Sequence, residues 1–246
     1  MIKAKSQPYP FSDFQRALEN LERATDATED TYLLLTGPTG VGKTQTLNAL
    51  QERRDRCRDR ILYFPKSQRL GASGFMRVVA GRYRVSPSRS HAETFDHVVR
   101  VLRDSSQRLL LWFDEAQDLP EETLHEARGL AEADLGGTSN IQVMLCGLPT
   151  LRGQLKEHPS LWRRIVVREE INGLLADEVS NFLEHHHGPE TVKRMGEKAM
   201  EVLFEHSRGA PGVLLPMFRA VLKRSPEGGK IAPERVDDIV QDWDLK

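Results

Sequence analysis

The residues with the clearest chemistry form one short run near the amino terminus. The run reads Gly37-Pro38-Thr39-Gly40-Val41-Gly42-Lys43-Thr44. Two glycines separated by four residues and followed by lysine and a hydroxyl residue are typical of a phosphate-binding loop. Glycines let backbone N–H groups close around phosphate oxygens, and a helix amino terminus adds partial positive charge. We therefore predict that Lys43 reaches the β- and γ-phosphates of a nucleoside triphosphate and that the Thr44 hydroxyl binds Mg²⁺.

The segments on either side of this run support the prediction. The apolar stretch 32–35 precedes it, and residues 45–50 continue as a helix with Leu47 and Leu50 on one face. The alternative is a chance glycine-rich turn before a helix. A strand, a loop and a helix in this order favour nucleotide binding, with ATP as the ligand. The residues predicted to bind it are Gly37, Pro38, Thr39, Gly40, Val41, Gly42, Lys43, Thr44 and Gln45.

A second candidate for chemistry is an acidic pair that follows the apolar stretch 109–113. Asp114 and Glu115 would lie at the carboxyl end of a buried strand. We predict that Asp114 joins Thr44 in holding Mg²⁺, because carboxylate and hydroxyl oxygens suit this ion. Glu115 would be the general base that orients and polarises the attacking water. The alternative is an ordinary strand that ends in acidic residues.

The elements that must position these residues alternate along the first two thirds of the chain. Strands are predicted at 32–35, 61–64, 109–113 and 141–145, with helices between them. Such alternation predicts an α/β fold with a parallel sheet that carries helices on both faces. Beyond about residue 173 only helical periodicity remains, with helices at 176–186, 189–206, 212–224 and 233–242. The predicted organisation is an amino-terminal segment and helix (1–30), a nucleotide-binding α/β domain (31–172) and a small all-helical lid domain (173–246).

Composition excludes several other classes of protein. The chain has 246 residues, of which 39% are hydrophobic, and only two cysteines, Cys57 and Cys146. Two cysteines are too few for a disulfide framework, and no apolar run is long enough to cross a membrane. The amino terminus also lacks the apolar core of a signal peptide. We expect a cytoplasmic protein that does not associate with a membrane.

Charge is distributed unevenly along the chain. The net charge is −1, yet residues 53–103 contain thirteen Lys and Arg residues against four Asp and Glu residues. A basic segment in an otherwise acidic chain can mark a surface that faces a polyanion. The alternative is that the arginines between Arg53 and Arg60 solvate a helix beside Asp55 and Asp59. We favour this alternative for those arginines.

The order of these motifs resembles the AAA+ ATPases. After the phosphate-binding run come the strings Asp114-Glu115-Ala116-Gln117-Asp118-Leu119 and Gly147-Leu148-Pro149-Thr150-Leu151. These two strings are similar to the branch that contains the transposition regulators TnsC, TniB and MuB and the secretion ATPase ExeA. The resemblance runs from about Phe11 to the carboxyl terminus and implies the P-loop NTPase fold with a helical lid.

The resemblance also implies residues that act between subunits and on DNA. In such ATPases a neighbouring subunit donates an arginine to the γ-phosphate, and Arg164 occupies the matching place, with Arg163 as second choice. DNA contacts in this branch follow the second strand and face the interior of a ring or helical filament. The matching residues are Lys66, Arg69, Arg77, Arg82 and Arg84. Their contacts would be with the backbone of double-stranded DNA and would weaken with salt.

Two positions depart from the AAA+ pattern. Leu148 occupies the place of the polar sensor after the fourth strand, and Gly212 that of the sensor arginine in the lid. Arg208 and Arg219 remain candidates for the second role. Both departures predict slow hydrolysis of ATP.

The function implied is that of an ATP-dependent, DNA-binding regulator of transposition. ATP would drive homo-oligomerisation on target DNA and recruitment of a transposase or a target-selection protein, and hydrolysis would disassemble the oligomer. The alternative is an ATP-switched assembly scaffold of the ExeA type without DNA binding.

Overall fold

The chain folds into two compact units, which are described one at a time. The structure, a computed structural model, describes residues 8–27, 32–54, 59–65, 70–133, 141–226 and 228–244. The sheet unit comprises the described residues of 17–36 and 47–170. The helical unit comprises the described residues of 8–16, 37–46 and 171–244. The predicted boundaries 1–30, 31–172 and 173–246 stay a prediction.

The sheet unit is built on five parallel strands. They are β1 (Tyr32–Thr36), β2 (Asp59–Phe64), β3 (Arg108–Phe113), β4 (Ile141–Gly147) and β5 (Ile165–Glu170). Their spatial order is β2-β3-β4-β1-β5. The three inner strands are almost wholly buried, because helices on both faces of a parallel sheet leave no wet side. Their continuous apolar sequences follow from this position.

Four of the five strands lie where the sequence predicts them, and β5 was missed. β5 is an edge strand that, among the described strands, pairs with β1 alone, and Val166 is 59% exposed. Its sequence ends in the charged residues 168–170, so it has no continuous apolar run. Charged edge strands of this kind resist pairing with other chains. Because they lack an apolar stretch, a search for such stretches does not find them.

Helices cover the sheet. Those that lie wholly in the sheet unit are α3 (Ala72–Arg82), α4 (His91–Arg103), α5 (Glu121–Glu132), α6 (Thr150–Lys156) and α7 (Pro159–Trp162). Two more, α1 (Ser12–Asp26) and α2 (Lys43–Arg53), have residues in both units. A core cluster of Phe64, Phe75 and Phe113 with stacked or tilted rings fixes α3 against β2 and β3.

The amino-terminal edge of the sheet is held by a buried ion-pair network. Arg54, which follows α2, and Arg108 both contact the carboxylate of Asp59 at distances of 2.9 and 2.8 Å. The side chains of Arg54 and Asp59 are each only 6% exposed. Arg53 pairs with Glu22 on α1. Arg53 and Arg54 therefore stabilise the fold through ion pairs, of which the Arg54–Asp59 pair is buried, and do not simply solvate a helix. Residues 55–58 lie outside the described residues, so the alternative stays a prediction for Arg56 and Arg58.

The helical unit contains the carboxyl-terminal third of the chain. Its helices are α8 (Val179–His187), α9 (Pro189–Val192), α10 (Glu197–Ser207), α11 (Pro211–Arg224) and α12 (Pro233–Asp244). The prediction of one helix over 189–206 is wrong. The chain leaves α9 at Lys193, forms a bridge between Met195 and Ile231, and starts α10 after Gly196.

The predicted fold class is confirmed. The chain has a parallel sheet with helices on both faces and an all-helical carboxyl-terminal part. Within the described ranges, every helix is too short or too polar to cross a membrane.

Candidate nucleotide site

The phosphate loop, residues 37–44, is shaped by its glycines. Gly40 and Gly42 have φ angles of +83° and +105°, which side-chain-bearing residues rarely adopt. A Cβ atom at Gly37 would collide with the backbone oxygen of Ile171 and crowd the side chain of Val41. Gly40 and Gly42 are therefore required by their backbone conformation, and Gly37 is required by the close approach of its neighbours.

Lys43 lies inside this loop. Its side chain is 6% exposed, and its ammonium group donates hydrogen bonds of 2.8 Å to the carbonyl oxygens of Gly37 and Pro38. A buried ammonium needs such acceptors, since an unpaired buried charge is costly. Phosphate oxygens are stronger acceptors than carbonyls because they are charged. Lys43 is thus already desolvated and aimed across the loop in which phosphates would lie.

Helix α11 contacts the same loop through backbone atoms. The N–H of Gly212 donates to the carbonyl oxygen of Gly40 at 2.9 Å. A Cβ atom at Gly212 would lie only 3.0 Å from the Cα and the oxygen of Gly40. Glycine at position 212, which reads in the sequence as a lost sensor arginine, therefore has a steric cause. Residues with a side chain would push α11 away from the loop.

The residues predicted to hold Mg²⁺ offer hard oxygen donors. Thr44 is exposed at the start of α2, where its hydroxyl can reach a ligand in the loop. Asp114 follows β3 in the sheet unit and supplies a carboxylate. Mg²⁺ is commonly bound by one or two protein oxygens together with phosphates and water. Among the described residues no cluster of three or more His, Cys, Asp or Glu side chains could hold a metal ion without such help.

Asp114 is oriented by contacts that the sequence does not reveal. The hydroxyl of Tyr63 on β2 donates to Oδ2 of Asp114 at 2.7 Å, and the N–H of Glu115 donates to Oδ1 at 3.0 Å. Burial and this hydrogen bond raise the pKa of Tyr63, so its hydroxyl stays protonated and remains a donor. Tyr63 was missed because alternation along β2 gives no sign that it faces an acidic residue on the neighbouring strand.

Glu115 lies in a strained turn. Its φ and ψ angles are 51° and 45°, in the left-handed region. A residue other than glycine in such a conformation costs on the order of 1–3 kcal/mol, and strain of this kind often marks functional sites. A short 3₁₀ helix, Ala116–Asp118, follows immediately. Residues 114–118 are called the acidic turn below.

Gln117 connects Glu115 to the end of β4. Its amide nitrogen donates to Oε2 of Glu115 at 2.6 Å, and its amide oxygen accepts from the N–H of Leu148 at 3.1 Å. The apolar side chain of Leu148 was the reason to expect a missing sensor at this position. The backbone of Leu148 nevertheless takes part in the hydrogen-bond chain that reaches Glu115. Gln117 was missed as a functional residue, although it stands within the Asp-Glu-Ala-Gln string.

The two candidate arginine fingers differ in their freedom. Arg164 Nε lies 3.3 Å from a carboxylate oxygen of Glu132, and its Nη1 donates to the carbonyl oxygen of Ser160. Arg163 is exposed and forms no side-chain hydrogen bond or ion pair with the described residues. Both residues lie between α7 and β5 in the sheet unit. The assignment of Arg164 stays a prediction.

The predicted DNA-contacting residues fall into three groups. Lys66 and Arg69 lie outside the described residues. Arg77 is exposed on α3, and Arg82 lies about 140° further around the same helix, given 100° per residue. Arg82 and Arg84 line an open groove of about 990 Å³ together with Arg60, whose guanidinium also stacks on Tyr83. The structure therefore brings Arg82 and Arg84 together and leaves Arg77 on another face of α3.

Comparisons with known proteins identify relatives. The sequence model of a family described as "AAA domain" matches residues 26–155, more than half of the chain. No curated protein matches the chain by sequence.

Solved structures show the same fold at low sequence identity. Cdc6p from Pyrobaculum aerophilum is similar with a TM-score of 0.69 and 20% identity, over 97% of this chain and 69% of that one. The Aeropyrum pernix ORC2 protein, solved as ADPNP-ADP complexes, gives 0.68 and 13% over 97% and 70%. The Aeropyrum pernix ORC1 protein in complex with DNA gives 0.62 and 16% over 94% and 64%. The similarity therefore covers nearly the whole chain, both the sheet and the carboxyl-terminal helices.

Proposed function

Because the chain belongs to the AAA domain family and has the AAA+ P-loop fold, we propose that it is an ATP-dependent, DNA-binding regulator of transposition. ATP binding would assemble copies of the chain on double-stranded DNA as a ring or helical filament. The oligomer would recruit a transposase or a target-selection protein, and hydrolysis would disassemble it. The Asp-Glu-Ala-Gln and Gly-Leu-Pro strings resemble those of the TnsC, TniB and MuB branch, which supports the proposal.

The observation that carries nucleotide binding is the buried Lys43 in the phosphate loop. Its ammonium is held by two carbonyl oxygens, which phosphate oxygens can replace with a gain in electrostatic energy. Gly40 and Gly42 give the backbone the conformation that turns N–H groups toward an anion. An ADPNP-ADP complex of the similar ORC2 protein supports the same ligand class.

Hydrolysis would depend on Thr44, on residues of the acidic turn and on an arginine of a neighbouring copy. Thr44 and Asp114 would hold Mg²⁺, which when bound neutralises phosphate charge. Glu115 would accept a proton from the attacking water while the bond between the γ-phosphorus and the bridging oxygen breaks, giving ADP and phosphate. An arginine from a neighbouring copy would complete the site. Arg164 is the first candidate for this role, since its half-exposed pair with Glu132 is weak enough to exchange for a phosphate, and Arg163 is the second.

DNA binding rests on the exposed arginines of α3 and the turn that follows. Arg82 and Arg84 lie on one groove, and the solved ORC1 complex shows that a protein of this fold can bind DNA. Contacts from arginine to phosphates are largely independent of sequence and weaken as salt rises. We expect Arg82 and Arg84 to contribute more to binding than Arg77.

Binding of a labelled double-stranded DNA fragment, measured by fluorescence anisotropy at two salt concentrations, tests this proposal. With ATP and Mg²⁺ we expect binding that is at least about tenfold tighter than with ADP, because assembly adds contacts along the duplex. Lys43→Ala should remove the nucleotide dependence. Electron microscopy of the same samples should show oligomers on DNA only with ATP.

A charge-matched pair of variants separates specific contacts from net charge. Arg82→Ala with Arg84→Ala should weaken DNA binding and reduce its salt dependence. Lys198→Ala with Lys223→Ala removes the same charge from exposed positions on α10 and α11 and should leave binding unchanged. DNA binding that ignores both ATP and Lys43 would contradict the proposal. An ATP-dependent oligomer that never binds DNA would instead favour the ExeA-type scaffold.

A second candidate function is that of a replication initiator. The similarity of this chain to the ORC2 and Cdc6p structures, which includes its helical part, favours this second function. The two functions differ in the partner. A strand-transfer assay with a transposase encoded beside this chain should respond to ATP only if the transposition proposal is correct.

A further inference from the structure

The hydrogen-bond chain through Gln117 has a role beyond packing. We infer that Gln117 is a positioning residue that fixes the carboxylate of Glu115 for hydrolysis and ties it to the backbone at the end of β4. This inference rests on the proposed role of Glu115 as general base. It assigns to Gln117 and the Leu148 backbone a function at the position where the polar sensor side chain is missing.

The chemistry of the two hydrogen bonds permits only one orientation of the amide. The carboxylate of Glu115 can only accept, so it must face the NH₂ group of Gln117. The N–H of Leu148 can only donate, so it must face the amide oxygen. Each end of the Gln117 side chain therefore has a partner of the opposite kind. An amide that is held at both ends is fixed more firmly than one held at a single end.

The same bonds leave Glu115 half engaged. Oε2 accepts from Gln117, whereas no hydrogen bond joins Oε1 to any of the described residues. A general base works best when one face is held by an orienting group and the other faces the proton that it accepts. The side chain of Glu115 is only half buried, so packing alone does not fix its carboxylate. Gln117 is the group that restricts it.

Gly147, the last residue of β4, leaves the space that Gln117 needs. A Cβ atom at position 147 would collide with the amide oxygen of Gln117, and it would also lie 3.0 Å from Cδ2 of Leu151. The end of a buried strand would otherwise favour a β-branched residue. The glycine thus permits the Gln117–Leu148 bond by its lack of a side chain. This gives a second, independent way to displace the amide without changing its chemistry.

Steady-state ATP hydrolysis by the full chain, with DNA present, tests the inference. Gln117→Ala should lower kcat by between about 10-fold and 100-fold, because a misplaced catalytic group costs rate in that range. KM for ATP should change less than about twofold, since the two hydrogen bonds of the Gln117 side chain join it to Glu115 and to the backbone of Leu148. Gln154→Ala, an exposed glutamine on α6, is the matched control and should retain the kcat of the unmodified chain.

The Gly147→Ala variant turns this into a double-mutant cycle. Alone, it should lower kcat because its methyl group displaces the amide oxygen of Gln117. Combined with Gln117→Ala, it should add little further loss, since the collision with the amide is then gone and only the milder contact with Leu151 remains. If Gln117 only stabilises the fold, the losses in kcat of the two single variants should instead multiply in the double variant. Each loss should then be accompanied by a fall in melting temperature.

The outcomes distinguish the inference from the proposed function. If the chain hydrolyses ATP and Glu115→Gln abolishes this, but Gln117→Ala keeps full kcat, the inference is wrong and the proposed function stands. If Glu115→Gln has the kcat of the unmodified chain, Glu115 is not the base and the inference fails with that assignment, whereas ATP-dependent DNA binding still decides the proposed function. Non-additive losses in kcat with unchanged KM and with melting temperatures within a few degrees would support the inference.

Discussion

The phosphate loop and the acidic turn solve the same problem, the holding of charged groups in place, with different materials. In the loop, backbone geometry does the positioning: Gly40 and Gly42 provide the conformation, and even Lys43 is held by carbonyl oxygens. In the acidic turn, side chains position other side chains, with Tyr63 on Asp114 and Gln117 on Glu115. A site built from backbone conformation should reject a Cβ atom at its glycines, even where the added atom meets no neighbour. A site built from side chains should depend most on the chemistry of those side chains.

The largest expected effect comes from changing chemistry without changing shape in the acidic turn. Glu115→Gln keeps the size of the side chain and removes the base, so kcat should fall by at least about 100-fold. ATP affinity should stay within about twofold, because the loop is untouched. Turnover by quenched-flow and affinity by calorimetry would check both values. A loss of ATP affinity that equals the loss of kcat would contradict the expectation that the acidic turn acts on hydrolysis and the phosphate loop on ATP binding.

A smaller effect is expected from adding one methyl group to the loop. At Gly42 a Cβ atom would meet nothing within 4 Å, so only the φ of +105° opposes alanine. A residue with a side chain costs on the order of 1–3 kcal/mol in such a backbone, so the loop should relax to a less suitable conformation and bind ATP about tenfold more weakly. Gly153→Ala, on α6, also meets nothing within 4 Å and is the control. Equal affinities for the two variants would show that the loop does not depend on its backbone conformation.

The smallest effect is expected at Tyr63. Tyr63→Phe removes one hydrogen bond to Asp114 and no apolar surface, and such a bond is worth about 0.5–1.5 kcal/mol, or more when its acceptor is charged. We expect a few-fold rise in the Mg²⁺ concentration needed for half-maximal hydrolysis, with little change in the maximal rate. A Mg²⁺ titration at saturating ATP measures this. An unchanged titration curve would mean that Asp114 is oriented without Tyr63.

The same contrast explains what could be predicted from the sequence. The phosphate loop can be predicted because its backbone requirements appear as glycines at fixed spacing. Asp114 and Glu115 can be predicted because they follow an apolar strand. The roles of Tyr63 and Gln117 cannot be predicted in this way, since they depend on which strands are neighbours and on a turn that places residue 117 beside residue 148. Strand β5 was not predicted for a related reason, since an edge strand needs no apolar run.

Gly212 illustrates a further limit of pattern reading. By comparison with a motif, it is an absence of arginine; in the structure, it is a close approach of two backbones. Motif matching asks which side chain is present and therefore cannot see a position at which no side chain fits. The fold class needed no such detail, because the alternation of strands and helices along the chain already specified it.

The close fit between Gly147 and Gln117 has a consequence for the natural variation of this sequence. The two positions are not free to change independently, since a side chain at 147 and a long amide at 117 compete for one volume. Among related sequences we expect glycine at the first position wherever glutamine occupies the second. Lineages that carry alanine or serine at 147 should have a shorter residue at 117 and a different partner for the acidic residue before it. The pair would then serve as a marker that separates subfamilies by how they restrain their catalytic carboxylate.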